Sequence, residues 1–224
     1  MFPIENTPRV VVVSGAGVSV SAGLPTYRDP DGVWSDKKFE KYSHATRYGN
    51  HLDYLVPRWV QCSNAMSATH PTVFHHEVDR QGFGVITQNV DGLHLRAGSE
   101  MVTELHGTMM EWTDYRAHKS FPFSQLVYHE HEHRFVSPYD DRGKIRPNVV
   151  LFGERVKHAT HAQQMIANAE VVVYVGTSGR VEPVSSWYQR VPHAVLVNPQ
   201  QWGHFDTYFP MTADEWAFNG CPLW

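Results

Sequence analysis

Cysteine is scarce in this sequence, which contains only Cys62 and Cys221 in 224 residues. Two cysteines so far apart in the chain cannot build a disulfide framework, and they cannot supply the cysteine ligands of a structural zinc site. We therefore expect the protein to belong to a reducing compartment and to bind no zinc through cysteine.

The sequence also lacks a large excess of charge of one sign and any long apolar run. The 19 basic and 23 acidic residues give a net charge of -4, which offers no electrostatic attraction for nucleic acid or an anionic membrane. No apolar segment approaches the roughly 20 residues that span a bilayer, and the N-terminus does not have the pattern of an export signal. We expect a cytoplasmic monomer without nucleic-acid or membrane partners.

The remaining composition predicts one α/β domain over residues 1–224, since a hydrophobic content of 42% is enough for a full core. Short runs rich in β-branched residues predict buried parallel strands, and good helix formers predict helices at residues 71–80 and 157–169. This alternation indicates a Rossmann-like parallel sheet with helices on both faces. The predicted strands are Val10–Ser14, Gly84–Thr87, Val171–Val175 and Ala194–Val197.

The interval 107–146 interrupts this alternation of strands and helices. It is rich in aromatic residues, and residues 125–136 read QLVYHEHEHRFV, in which apolar or histidine residues alternate strictly with others. This period of two predicts a β-hairpin-like segment, and we treat the interval as a small inserted subdomain. The side chains that the alternation places on one strand face are Val127, His129, His131, His133 and Phe135.

The first predicted strand runs into a glycine turn that is typical of phosphate-binding sites. Residues 14–17 read SGAG, but Val20 replaces the third glycine of the GxGxxG pattern. Glycines here allow a tight turn that exposes backbone N–H groups to a pyrophosphate, and nearby serines add hydroxyl donors. The alternative is a tight turn without a ligand. The serines concerned are Ser14, Ser19 and Ser21.

Two further motifs follow in the chain. Residues 87–94 (TQNVDGLH) come directly after the second strand and supply amide and carboxylate groups, which suit a ribose and a carboxamide. Residues 104–108 (ELHGT) contain His106, whose imidazole titrates near neutrality and is suited to general-base catalysis. Each motif taken alone also fits a solvated loop or a structural histidine.

Five motifs in order resemble the sirtuin family of NAD-dependent protein deacylases. They lie at residues 15–28 (GAGVSVSAGLPTYR), 87–94, 104–108, 146–154 (RPNVVLFGE) and 176–183 (GTSGRVEP). The resemblance spans nearly the whole chain, and it implies attack of an acyl-lysine carbonyl oxygen on the anomeric carbon of NAD as nicotinamide leaves. His106 would then activate a ribose hydroxyl, and the products would be free lysine, nicotinamide and an O-acylated ADP-ribose.

The resemblance also implies a set of site residues. The catalytic residues would be His106, Asn89 and Asp91. The residues that bind NAD would be Gly15, Ala16, Gly17, Ser19, Gly23, Pro25, Tyr27, Arg28, Trp34, Gln88, Asn89, Asp91, His106, Gly176, Thr177, Ser178, Asn198 and Ala213. The acyl-lysine substrate would contact Tyr54, Arg58, Val150, Phe152, Gly153, Glu154 and Val181, and an added peptide strand would lie between residues 149–154 and 181–183.

The chain departs from the family in its inserted segment. Most sirtuins carry two CxxC pairs there that bind a structural zinc, whereas residues 107–146 contain no cysteine. We therefore expect no metal, and NAD as the only cofactor. The alternative is a metal site built from histidines of the insertion, namely His118, His129, His131 and His133.

The acyl preference depends on two features near the first helices. Ala45 resembles the small residue that widens the acyl pocket in sirtuins that remove succinyl groups. Those sirtuins also carry a YxxR pair, but Tyr54 and Arg58 are one residue too far apart to match it. Arg58 either binds an acyl carboxylate, or it is an ordinary surface side chain, so acetyl and succinyl both remain candidate acyl groups.

Three other functions compete with deacylation. An NAD hydrolase or ADP-ribosyltransferase would share the NAD site, but the motifs at 146–154 and 176–183 favour a peptide substrate. A non-catalytic NAD-sensing module would not need Asn89, Asp91 and His106 together. A dehydrogenase is least favoured, because no second apolar strand ending in an acidic residue follows the glycine turn.

Overall fold

The computed structural model describes residues 9–26, 35–142, 144–180, 184–187, 189 and 191–223. Its strands are β1 (Val10–Ser14), β2 (Gly84–Thr87), β3 (Val102–Glu104), β4 (Gly107–Asp114), β5 (Lys119–Pro122), β6 (Val127–His129), β7 (Arg134–Val136), β8 (Ile145–Val149), β9 (Val171–Val175), β10 (Ala194–Val197) and β11 (Thr207–Phe209). Its α-helices are α1 (Lys37–Tyr42), α2 (Leu52–Ala68), α3 (Val73–Arg80), α4 (Leu93–Ala97), α5 (Ala159–Asn168), α6 (Val184–Trp187) and α7 (Ala213–Phe218).

Six of the strands form a central sheet in the order β11-β10-β9-β1-β2-β3, and every neighbouring pair is parallel. β1 lies at its centre, with Val11, Val12 and Val13 fully buried. A parallel strand covered on both faces needs apolar residues at successive positions, which explains its run of valines. The four strands predicted from the sequence are confirmed with the predicted bounds, and β3 and β11 extend the sheet at its two edges.

Helices cover both faces of this sheet, which confirms the predicted Rossmann-like arrangement. On one face α3 and α7 pack against Val12 and Val173, through residues that include Phe74 and Trp216. On the other face α5 packs against Val11. α3 begins two residues after the predicted start, and the side chain of Thr72 caps it. In the described part of the chain, no helix is long and apolar enough to cross a membrane.

The inserted interval forms a separate antiparallel unit, as predicted. β4 pairs with β5 and β8, and α2 packs on this sheet through a third core cluster that includes Trp59, Trp112 and Phe121. β6 and β7 form the predicted hairpin. The strict alternation does not continue through it, because residues 130–132 form a 3₁₀ turn and His133 has a φ of 48°. The prediction that five side chains of this segment share one strand face is therefore wrong.

Candidate functional site

Three loops meet at the carboxyl edge of the central sheet, where open α/β sheets place their ligands. They follow β1, β2 and β9. The Gly15 N–H donates to the Val175 carbonyl at 3.1 Å, and the Gly17 N–H donates to the Gly176 carbonyl at 2.9 Å. A Cβ atom at Gly15 would lie 2.8 Å from the Gly176 oxygen, so only glycine permits this approach of two backbones.

Several donors of the glycine turn are used inside the protein. Besides the two glycine N–H groups, the Ser14 hydroxyl donates to Thr87 Oγ1 at 2.9 Å, and the Ser19 hydroxyl donates to Asp91 Oδ2 at 2.8 Å. The prediction that these four groups donate to a pyrophosphate is therefore wrong. They join the loops that surround the site.

Asn89 is fixed by these loops but keeps an unused acceptor. Its Nδ2 donates to the Gly15 carbonyl at 3.2 Å and to Ser19 Oγ at 3.3 Å. Its Oδ1 is buried and has no hydrogen-bond partner among the described residues. A buried acceptor left unsatisfied costs about 1–3 kcal/mol, so this oxygen is a preformed acceptor for a ligand N–H.

Asp91 lies beside Asn89 and is only 5% exposed. It accepts hydrogen bonds from the Ser19 hydroxyl and from the Leu93 N–H, the latter at 2.9 Å. Burial raises the pKa of its carboxyl, and the two hydrogen bonds act in the opposite direction. The site therefore holds one buried carboxyl group in a fixed orientation.

Asn89 and Asp91 line a cavity of about 240 Å³. One wall comes from the first and second motifs, and the other comes from α2. The predicted cofactor residues on its wall are Ala16, Ser19, Pro25, Asn89 and Asp91, and the α2 residues are Gln61, Cys62, Ala65 and Met66. The sequence reasoning missed the α2 wall, because α2 carries no motif and no glycine turn.

His106 follows β3 and is held in one orientation by a hydrogen bond. Its Nδ1 lies 2.8 Å from the carbonyl oxygen of Gln88, the residue before Asn89. Because a carbonyl can only accept, Nδ1 carries the proton and Nε2 keeps its lone pair. Burial lowers the pKa of His106, so the imidazole is neutral at pH 7 and able to take a proton.

Two charged side chains near His106 were missed by the sequence reasoning. Burial, together with the nearby Asp91 carboxylate, raises the pKa of Glu104 to about 7. Lys157 donates from its backbone to the Leu105 carbonyl at 2.8 Å and from Nζ to the Asn148 carbonyl at 2.7 Å. Lys157 thereby connects the loop that carries His106 to β8.

The remaining predicted cofactor residues have varied positions. Thr177 is buried and donates to Gln88 Oε1 at 3.2 Å, whereas Ser178 is exposed. Asn198 follows β10 and donates from Nδ2 to the Gln200 carbonyl at 2.6 Å. Ala213 begins α7 and is packed in the core with 6% exposure. Tyr27, Arg28, Trp34 and the substrate residue Val181 lie outside the described residues.

Several N–H groups of the predicted peptide-binding edge at 149–154 already have partners inside the protein. Val150 donates to the His106 carbonyl at 2.8 Å, and Phe152 donates to the Ser43 carbonyl at 3.1 Å. The Phe152 carbonyl accepts from the Ala45 N–H at 2.9 Å, so Ala45 lies beside this edge. A peptide strand cannot pair with these three groups.

Arg146 and Glu154 support that edge from behind. The guanidinium binds the carboxylate through two hydrogen bonds of 2.8 and 2.9 Å, and it stacks on the rings of Tyr48 and Tyr115 at 4.7 and 5.4 Å. Glu154 in turn accepts from the Leu151 N–H at 2.9 Å. The pair is largely buried, with side-chain exposures of 8% and 28%, and its bidentate geometry is the one that makes arginine–carboxylate contacts strong.

Tyr54 and Arg58 are hydrogen-bonded to Asp36, the residue before α1. The Tyr54 hydroxyl and Arg58 Nε donate to Asp36 Oδ2 at 2.6 and 3.2 Å. Asp36 also caps α1 by accepting from the N–H groups of Lys38 and Phe39. The charge of Arg58 is therefore balanced by Asp36 in this structure.

The residues of the insertion do not fit the zinc that the resemblance implies. The interval has no cysteine. Over the described residues, no three or more His, Cys, Asp or Glu side chains lie close enough together to hold a metal ion. His118 and His133 occupy left-handed turn positions with φ of 53° and 48°.

Comparisons with known proteins identify the family of this chain. The profile of the Sir2 family matches residues 15–183. An NAD-dependent protein deacylase of Thermus thermophilus is 32% identical over 88% of this chain and 82% of its own length, and an NAD-dependent protein deacetylase of Staphylococcus aureus is 32% identical over 81% and 78%. A mutant Sir2 homologue bound to ADP-ribose superposes with a TM-score of 0.80 at 26% identity, covering 96% of this chain and 92% of the other. A Sir2 homologue bound to NAD has a TM-score of 0.79 at 25% identity, covering 96% and 89%. The chain belongs to the Sir2 family.

Proposed function

We propose that this protein is an NAD-dependent protein-lysine deacylase, which transfers the acyl group of a lysine side chain to the ADP-ribose part of NAD and releases nicotinamide. The observation that carries the proposal is the neutral His106, which is oriented at 2.8 Å by the carbonyl of Gln88, the residue before Asn89, and Asn89 lines the cavity together with Asp91. The names of the relatives and the ligands of the similar structures support it.

The cavity residues fit the nicotinamide end of NAD. The unpartnered Oδ1 of Asn89 would accept from the carboxamide N–H, and the buried Asp91 would favour the cationic ring over the neutral product. Gly176, Thr177, Ser178 and Asn198 would hold the phosphate and adenosine side. When bound, NAD supplies a ribose carbon with a good leaving group.

His106 would take a proton from a ribose hydroxyl at Nε2, while its Nδ1–H stays on the Gln88 carbonyl. Because burial favours the neutral imidazole, this acceptor is present at pH 7 without a further base. The chemistry then needs no metal and no second histidine.

The first test is the variant His106→Ala. We expect turnover of an acetyl-lysine peptide to fall by about 10²–10⁴-fold, because general-base catalysis is lost. NAD affinity, measured by calorimetry, should change little. Mass spectrometry of the wild-type reaction should show both the deacylated peptide and an acylated ADP-ribose.

Two results would reject this function. Unchanged turnover of the His106→Ala variant would remove the histidine from the mechanism. Nicotinamide release at the same rate without any acyl peptide would favour an NAD hydrolase, and NAD binding without turnover of any acyl-lysine would favour a sensing module.

We further propose that neutral short acyl groups are preferred over succinyl. Tyr54 and Arg58 lie one turn apart on α2, on the face that continues to the cavity residue Cys62. An acyl carboxylate at this position would meet Asp36, which already accepts from both side chains. The Asp36 carboxylate therefore opposes binding of a second carboxylate to Arg58.

The variant Asp36→Asn tests this preference, because asparagine still caps α1 but carries no charge. We expect the ratio of succinyl-lysine to acetyl-lysine turnover, measured as kcat/KM on one peptide, to rise by about tenfold. Asp53→Asn, on the first turn of α2, is the matched control and should leave the ratio unchanged. A wild-type enzyme that already prefers succinyl-lysine would contradict the proposal.

A further inference from the structure

Two turns of the inserted subdomain have the same hydrogen-bond pattern. After β4, Asp114 Oδ1 accepts from the N–H groups of Arg116 and Ala117 at 2.9 and 3.0 Å. After β7, Ser137 Oγ accepts from the N–H groups of Tyr139 and Asp140 at 3.2 and 3.0 Å. In both turns, one side-chain oxygen binds the amides two and three residues later.

The two turns are joined directly through these same side chains. The Ser137 hydroxyl donates to Asp114 Oδ2, across 23 residues of sequence. Asp114 is fully buried and Ser137 is 4% exposed. Since water is excluded, the carboxylate depends on these three donors for its solvation, and loss of one would leave a buried charge unsatisfied.

The joined turns lie next to the support of the peptide edge. Tyr115 follows Asp114, and its N–H donates to the Lys144 carbonyl at 3.0 Å. Its ring lies 5.4 Å from the guanidinium of Arg146, which binds Glu154. Displacement of the turn at Asp114 would therefore move a ring that packs on the Arg146–Glu154 pair.

We propose that the buried Asp114–Ser137 hydrogen bond cross-links the inserted subdomain without a metal and positions Arg146 and Glu154 behind the peptide edge. Asp114 Oδ1 and Ser137 Oγ each accept from two backbone N–H groups, and Asp114 Oδ2 accepts from the Ser137 hydroxyl, so protein donors supply the contacts of both side chains. Asp114 and Ser137 act as positioning residues, since neither belongs to the cavity or to the base. The effect on peptide binding rests on the proposed deacylase function, whereas the cross-link itself does not.

The main test uses the variants Asp114→Asn, Ser137→Ala and their combination. Each single change should lower the folding equilibrium constant by about tenfold or more, because a buried charge-assisted hydrogen bond is lost. The combined change should cost clearly less than the sum, since the two side chains act on one contact. Asp141→Asn, an exposed position close by, is the control and should have no effect.

Kinetics separate positioning from a purely structural role. Ser137→Ala should raise KM for the acyl peptide by several-fold, while KM for NAD and the acid limb of the pH profile stay unchanged. Equal changes in both KM values, or additive stabilities in the double variant, would overturn the proposal.

Two measurements on the wild-type chain keep the test independent of how the variants fold. Elemental analysis should find no stoichiometric zinc, and a chelator should change neither the melting temperature nor activity. The amides of Arg116, Ala117, Tyr139 and Asp140 should exchange slowly with deuterium. Stoichiometric metal, or rapid exchange of these amides, would overturn the cross-link even if no deacylase activity were found.

Discussion

At the scale of single residues, Gly107 shows how closely His106, the proposed base, is packed into the fold. It follows His106 and has a φ of 73°, and a Cβ atom there would lie 1.9 Å from the Asn148 carbonyl oxygen. The Val150 N–H also donates to the His106 carbonyl at 2.8 Å. β4 and β8 therefore approach each other closely on both sides of this residue.

We expect Gly107→Ala to destabilise the protein by about 3 kcal/mol or more, because the left-handed backbone and the overlap with Asn148 act together. Urea unfolding would measure the change, and turnover should fall because His106 shifts with the strand. Gly49→Ala is the control, since nothing lies within 4 Å of its added methyl group. A Gly107→Ala variant as stable as the control would show that β4 and β8 can separate without cost.

Residue types could predict the site's members but not what each of them binds. Asn89, Asp91 and His106 stand in short motifs. Asn89 and Asp91 line the cavity, and His106 is hydrogen-bonded to the carbonyl of Gln88, the residue before Asn89. The roles of Ser14 and Ser19 as phosphate donors were wrong, because their acceptors Thr87 and Asp91 lie more than 70 positions away in the chain. A hydroxyl donor in the sequence does not reveal which acceptor the fold brings to it.

At the scale of elements, strand prediction succeeded where a strand is buried on both faces. β1 (VVVVS) and β9 (VVVYV) are five-residue strands with four or more successive apolar residues, and both were predicted with their observed bounds. β3 (VTE) and β11 (TYF) were missed, because three residues of mixed polarity at a sheet edge carry no periodic signal. The hairpin face was wrong because the turn at His133 divides it, and strict alternation cannot locate a turn.

α2 offers the clearest prediction at this scale, because it forms one wall of the cavity. Ala65 lines the cavity and the neighbouring Asn64 does not. Ala65→Phe should fill the space for nicotinamide, and we expect KM for NAD and the nicotinamide concentration for half inhibition to rise about tenfold, equivalent to about 1.4 kcal/mol. Asn64→Phe adds the same bulk to another face of the helix and should leave both values unchanged. Equal effects of the two variants would show that the cavity is not the nicotinamide site.

At the scale of the whole molecule, two buried histidines on different helices, His75 on α3 and His94 on α4, pack behind the loop that follows β1. His94 Nε2 lies 2.9 Å from Ser14 Oγ, and the His94 and His75 rings are 4.6 Å apart. The Thr72 N–H donates to His75 Nδ1 at 3.2 Å, so the proton of the neutral ring is on Nε2. Both rings are almost completely buried, and neither can take up a second proton without losing solvation.

This arrangement predicts that acid destabilises the protein well before its surface carboxylates titrate. Burial lowers the pKa of His75 to about 4, a shift that outweighs the opposite effect of Asp214, and it lowers the pKa of His94 in the same direction. The unfolded chain binds these protons at an ordinary pKa of 6.5. The stabilisation that comes from keeping these histidines neutral is therefore complete above pH 6.5 and is lost as the pH falls towards 4. For His75 alone, the free energy of unfolding should decrease by about 3 kcal/mol over this range.

Unfolding by urea at a series of pH values between 7.5 and 4.5 would measure this loss. His75→Gln keeps an acceptor for the Thr72 N–H but cannot titrate, so its free energy of unfolding should fall less steeply over this range, whatever its absolute stability. His76→Gln, at the next and exposed position, should retain the wild-type slope. If wild type and His75→Gln had the same slope, His75 would have to be protonated in the folded protein. A chain of hydrogen bonds runs from His94 through Ser14 and Thr87 to the Asn89 N–H. A protonated His75 would place a buried positive charge beside this chain, and the burial of both rings opposes such a charge.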